Sequence, residues 1–182
     1  CGGAAAILVS ERFARKHGLR RDVQILAQAM TTDTPASFNF DKPSMLDWVG
    51  THMTRAAVHQ VYEKAGVGPE DIQLCELHDC FAQNEVICYE SLGFCPEGGA
   101  EKFVKNGDNT YGGQIVINPS GGLLSKGHPL GATGLAQCYE LTQQLRGNAD
   151  QRQVEGARLG MAHNLGLGGA CVVTLYAGVG GQ

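Results

Sequence analysis

What the chain lacks narrows its class first. Only 18% of its 182 residues are charged, and its 14 Lys and Arg are outnumbered by 18 Asp and Glu, for a net charge of −4. No basic stripe is present, so the electrostatic footprint of a nucleic-acid binder is missing. No apolar run approaches the length of a membrane span, and no charged region precedes an apolar core as in a secretion signal. The seven cysteines are odd in number and contain no C-x-x-C pair, which argues against a zinc site or a disulfide framework and for a reducing compartment. No internal repeat is visible, and the chain opens on Cys1 and not on methionine, as a fragment of a longer protein would. With 43% hydrophobic residues, what remains is a globular chain, residues 1–182 forming one domain. That length buries roughly two-thirds of the unfolded surface.

Glycine, by contrast, is plentiful: 26 residues, roughly twice the usual share, gathered between 98 and 134 and again between 156 and 169. The stretch from Asn118 to Gly147 organises the rest. An apolar strand end leads into a glycine turn, then Ser125-Lys126-Gly127-His128-Pro129, then Leu130 to Gly134 opening a helix. Pro129 fixes φ and removes an N–H, while the glycines permit close approach, so His128 is held with its ring toward a cleft. In the helix that follows, Leu135, Cys138, Tyr139, Thr142 and Leu145 recur at three and four spacing, which predicts that this side is buried and that the positive helix start faces the cleft. A glycine-rich strand-to-helix turn with a structural histidine is the simpler alternative on these grounds.

Along the chain, strands are expected at Ala4–Val9, Val23–Met30, Ile72–Leu77, Ile115–Ile117, Ala157–Ala162 and Ala170–Tyr176, the last two as an antiparallel pair joined by His163–Gly169. Helices are expected at Glu11–His17 behind a Ser10 cap, from Ser44 to Gly66 as one amphipathic helix burying Leu46, Val49, Met53, Ala57 and Val61, and at Gln83–Leu92. Residues 31–43 and 94–113 read as loops. Strands alternating with helices argue for a layered α/β domain with a mostly parallel sheet. Three loops then gather at one sheet edge: His78 with Cys80, His128, and His163 with Asn164. Acyl transfer from a thioester needs a nucleophile, a base, a second acid/base and oxyanion donors. These loops offer all but the nucleophile. On the residues alone, Cys80 as a buried structural cysteine and His163-Asn164 as a plain turn are open alternatives.

Asn118-Pro119-Ser120-Gly121-Gly122 followed by Gly127-His128-Pro129-Leu130-Gly131-Ala132-Thr133-Gly134 resembles the thiolase superfamily. His78-Asp79-Cys80-Phe81 with His163-Asn164-Leu165-Gly166 is similar to the sterol-carrier-protein-2 thiolases. The resemblance runs from Cys1 to Tyr176 and implies the C-terminal half of an acyltransferase, a five-stranded mixed sheet with helices on both faces. The nucleophilic cysteine is implied to lie in an N-terminal half, the first partner; acyl-CoA and CoA are implied as substrates, with no metal or prosthetic group, a homodimer as the assembly and peroxisomes as the address, mitochondria or cytoplasm being the alternatives. By the same resemblance His128 activates the nucleophile, His78 joins it in an oxyanion site, and Cys80 is the second acid/base, its thiol lowered beside the histidines. Asn164 and Gly166 support the loop that carries a Cys-x-Gly pattern in most other thiolases, and Ser120 and Gly121 are placed against the substrate. The implied reaction cleaves 3-oxoacyl-CoA with CoA, and the chain alone is expected to be inactive. A condensing enzyme of the same fold and an acyl-CoA- or lipid-binding module without turnover are the rival readings.

Overall fold

The computed structural model describes residues 1–38, 41, 44–166 and 169–179. Residues 39, 40, 42 and 43 of the expected loop and 167 and 168 of the expected strand link lie outside them. Twelve elements follow in order: α1 Glu11–Lys16, β1 Val23–Thr31, α2 Met45–Trp48, α3 Thr51–Ala65, β2 Leu74–Glu76, α4 Ala82–Ser91, α5 Ala100–Lys105, β3 Val116–Ile117, α6 Gly122–Lys126, α7 Thr133–Leu145, β4 Leu159–Gly166 and β5 Ala170–Gly178. The five strands form one sheet in the order β1-β5-β4-β2-β3. β3, β2 and β4 run parallel, while β4, β5 and β1 are antiparallel. The sheet is therefore evenly mixed, less parallel than the strand–helix alternation implied.

Both faces are covered. Strand side chains alternate, and β2 and β4 show the consequence. Cys75, Leu77, Met161 and Leu165 join Met53, Ala57, Val58 and Val61 of α3 in one core, while Leu74 and Ala162 join Leu141 of α7 and Val116 in the other. Helices α3, α4 and α5 form the layer on the first face, and α7 lies on β4 and β5 on the second.

Several expectations change. Ala4–Val9 is not a strand: it runs without a sheet partner, and Ile7 is 92% exposed. Its composition favours extended backbone, but a strand exists only where a neighbour supplies hydrogen bonds. The single helix from Ser44 is two helices, because Gly50 adopts φ 80°, left-handed, between α2 and α3. Leu46 is accordingly exposed while Met53, Ala57 and Val61 are buried. Residues 94–113 contain α5, and the glycine turn before His128 contains α6. β4 runs on through His163 to Gly166, so these residues belong to a strand and not to a loop. The most instructive change is at α7. Its buried residues are Thr133, Gln137, Glu140, Leu141 and Gln144, and Tyr139 is 63% exposed, so the polar side of this helix faces the sheet.

Candidate functional site

The three parallel strands end at one edge. Leu74 pairs with Val116 and Gly160, and Glu76 pairs with Ala162, so the residues leaving β2, β3 and β4 emerge side by side. This is the edge at which ligands bind in open α/β sheets. β2 delivers His78, Asp79 and Cys80; β3 delivers Asn118, Ser120 and, through α6, His128; the end of β4 delivers Asn164.

His78 and His128 meet there edge to face, ring centroids 5.0 Å apart at 85°. Burial pushes the His78 ring down to about 4, with the nearby His128 adding to the effect, so His78 is neutral at pH 7. Its Nδ1 is buried without a partner. The backbone around it is fixed: Asn84 Nδ2 donates to the His78 carbonyl at 2.5 Å. On His128, Nδ1 lies 2.7 Å from the Thr133 hydroxyl in the first turn of α7.

Cys80 is half-buried at the start of α4. The histidines do not lower it as expected. Burial pushes the thiol up, the backbone N–H groups of Phe81 and Cys80 pull it only part of the way back, and Asp79 adds to the rise. Burial therefore favours the Cys80 thiol over its thiolate.

Two carboxylates from the end of β2 hold the His128 segment, and neither was singled out from the sequence. Asp79, buried, accepts from the Leu123 N–H at 2.6 Å and the Leu124 N–H at 3.3 Å. Gly122 makes this possible: it has φ 62°, and a Cβ there would overlap the Asp79 carboxylate. Glu76, with no exposed surface, accepts from the Ser120 N–H at 2.9 Å, the Ser120 hydroxyl at 2.6 Å and Lys126 Nζ at 3.2 Å. Burial raises Glu76 above the ordinary carboxylate range, against the pull of Lys126 and Ser120. The signal that could have found both acids is their position: acidic residues at and just beyond the end of an apolar strand need buried partners.

The remaining expected residues separate. The hydroxyl of Ser120 is turned to Glu76, and Gly121 supplies the left-handed start of α6, φ 97°. Asn164 donates to Gln137 Oε1 at 2.5 Å and lies beside Gly134, one residue beyond Thr133. Gly166 ends β4 opposite Ala170 at the turn into β5. His163 points away from its neighbour Asn164, into the core beneath α3. The His78 N–H donates to its Nδ1 at 3.4 Å, so Nε2 carries the proton and donates to Thr54 Oγ1 at 3.1 Å. Burial lowers His163 to about 3, with His78 contributing. It is a neutral core residue under the site. All seven cysteines are free, and no cluster of three or more metal-ligating side chains occurs among the described residues.

Comparison with known proteins gives this geometry a context. The family described as "Thiolase C-terminal domain-like" matches residues 39–176, and the chain belongs to it. Sterol carrier protein 2 of Rattus norvegicus is 59% identical over 176 residues, covering 96% of this chain and 32% of the relative. A benzoylsuccinyl-CoA thiolase subunit of Thauera aromatica is 37% identical over 168 residues, 92% of this chain and 42% of the relative. Human mitochondrial 3-ketoacyl-CoA thiolase superposes with a TM-score of 0.66 at 19% identity over 94% of this chain and 34% of that one, a likeness of fold. The chain thus spans about a third of the length of its sterol carrier protein 2 relatives. The thiolase-like α/β fold and the thiolase superfamily expected from the motifs are both established.

Proposed function

We propose that residues 1–182 are the C-terminal catalytic half of a 3-oxoacyl-CoA thiolase. The observation that carries this reading is the edge-to-face pair His78 and His128 at 5.0 Å, with Cys80 two residues away on the same loop, at the end of parallel strands of a thiolase-like sheet. In this reading the N-terminal half brings a cysteine whose thiol gives its proton to His128. The thiolate attacks the 3-oxo carbon, and the bond between carbons 2 and 3 breaks. The electron pair moves onto the thioester oxygen, held by the Nε2–H groups of His78 and His128. Cys80, kept protonated by burial, gives its proton to carbon 2 and releases acetyl- or propionyl-CoA. The Cys80 thiolate then takes the proton of a second CoA, whose sulfur attacks the acyl-cysteine; the cysteine–acyl bond breaks, the shortened acyl-CoA forms, and the released cysteine thiolate takes back its proton from His128. No metal or prosthetic group enters this scheme. The domain boundary at 1–182, a homodimer and a peroxisomal address belong to the same proposal.

CoA-dependent cleavage of 3-oxoacyl-CoA by the full-length protein tests it. Cys80→Ser should lower turnover by on the order of 10² to 10⁴ while the N-terminal cysteine is still acylated. The isolated chain should show no turnover above its His128→Ala variant. A second reading is favoured by the name sterol carrier protein 2 borne by relatives near 60% identity: an acyl-CoA- or lipid-binding unit. A protein that binds acyl-CoA without consuming it would establish that reading and remove the first.

A further inference from the structure

Thr133 is fully enclosed, with 3% of its surface exposed, and its hydroxyl has two neighbours. It donates to the Pro129 carbonyl at 3.3 Å and lies 2.7 Å from His128 Nδ1. A hydroxyl has one proton to give. With that proton on Pro129, whose carbonyl also accepts the Ala132 N–H at 2.9 Å, the oxygen presents a lone pair to the ring, the arrangement in which Nδ1 carries the hydrogen. Free neutral imidazole side chains prefer the other tautomer, with the hydrogen on Nε2. The backbone places the two groups together: Pro129 and Thr133 are one helical turn apart, the Thr133 N–H also bonds to the Pro129 carbonyl at 3.2 Å, and His128 is the residue before Pro129.

We propose that Thr133 is a positioning residue that locks His128 in the Nδ1–H tautomer, leaving Nε2 as a bare lone pair ready to take a proton. A base that must first lose a hydrogen from its working nitrogen cannot accept one there; the hydrogen bond on the far nitrogen decides which atom works. After Nε2 accepts the proton it becomes the donor to the thioester oxygen, so one ring serves both steps without turning. The inference rests on the thiolase reading for its use and on the hydrogen-bond pattern for its existence.

The experiment uses full-length protein labelled with 15N at histidine and examined above the ring titration, with His128→Asn assigning the signals. His128 Nδ1 should appear as the protonated nitrogen and Nε2 as the unprotonated one. Thr133→Val, which keeps the shape and removes the hydroxyl, should move the ring toward Nε2–H and lower kcat on 3-oxoacyl-CoA by about ten- to a hundredfold with KM little changed. Thr133→Ser should restore both. Wild-type His128 with its hydrogen on Nε2 overturns the proposal whether or not any variant folds, as does Thr133→Val with unaltered tautomer and turnover. The predicted tautomer in a protein without turnover leaves this inference standing and removes the thiolase reading instead.

Discussion

The two faces of the sheet are covered by helices of similar length and opposite chemistry. Under α3 the contact is dry: Met53, Ala57, Val58 and Val61 meet Met161, Leu165, Val173 and Leu175, and the one ring among them, His163, is neutral and bonded. Under α7 the contact is polar, and wet only in that sense. Leu141 is surrounded by buried Gln137, Glu140 and Gln144. Gln144 donates to the Arg152 carbonyl at 2.7 Å and accepts the Val154 N–H at 2.8 Å, and Arg152 grips Glu140 with two bonds of 3.2 Å. The same wet face holds Glu76 and, through Asn164 and Gln137, reaches the edge where His128 sits. The difference teaches that one face of this fold supplies cohesion by burial and the other supplies position by directed bonds.

This contrast can be broken by experiment, beginning where the effect is largest. Leu175→Ala on the dry face, a fully buried side chain, should cost about 2–5 kcal/mol in denaturant unfolding at neutral pH; a cost like that of a surface change would show that this face is not the main core. His163 comes next. Its unfolded ring titrates near 6.5 and its folded ring near 3, so the unfolded chain binds the extra proton between those values. Stability is fully present above 6.5 and falls as pH drops, by up to about 1.4 kcal/mol per pH unit. His78 adds a similar fall down to about 4. His163→Gln, which keeps an acceptor for the His78 N–H, should flatten that acid slope by one proton; an unchanged slope would mean the ring is not buried neutral.

On the wet face, Gln144→Leu preserves volume but strands the Val154 N–H, while the Arg152 carbonyl keeps the Tyr111 hydroxyl, and should cost about 1–3 kcal/mol. A neutral or stabilising result would show that α7 is held by its apolar contacts, Leu141 with Cys138 and Leu145, and not by this bond. Glu76 gives a smaller, opposite signature. Its folded value is raised, so its contribution is full below the ordinary 4.5 and is lost as pH climbs through the folded value. The stability of Glu76→Gln relative to wild type should therefore increase with pH, as read from unfolding midpoints on both sides of pH 4.5. Smallest of all, Glu63→Ala breaks only an exposed contact with His59 on the outer side of α3 and should leave the midpoint unmoved.

The dry face was legible because Met53, Ala57 and Val61 recur as an amphipathic helix requires, and β5 is a short, almost continuously buried apolar run. The wet face was not, because hydrophobic period points a helix the wrong way when the sheet side is satisfied by amides and carboxylates. Leu135 and Tyr139 were expected inside and lie outside. The candidate site divides along the same line. His78, Cys80 and His128 are visible as reactive residues at strand-to-helix transitions, whereas Asp79, Glu76 and Thr133 matter through partners more than four residues away or through a hydroxyl no pattern marks.

What the sequence determined by itself is local and additive: most elements, the superfamily carried in its two motif loops, and which side chains can do chemistry. What only the tertiary structure decided is which neighbours share a face. His163 and Asn164 differ by one residue along β4, and strand alternation sends one into the core beneath α3 and the other to the first turn of α7 beside His128. The lowered His78 ring, the raised thiol of Cys80 and the contact of His128 Nδ1 with Thr133 follow from burial and from partners on other elements, and such energies exist only once the chain has brought those elements together.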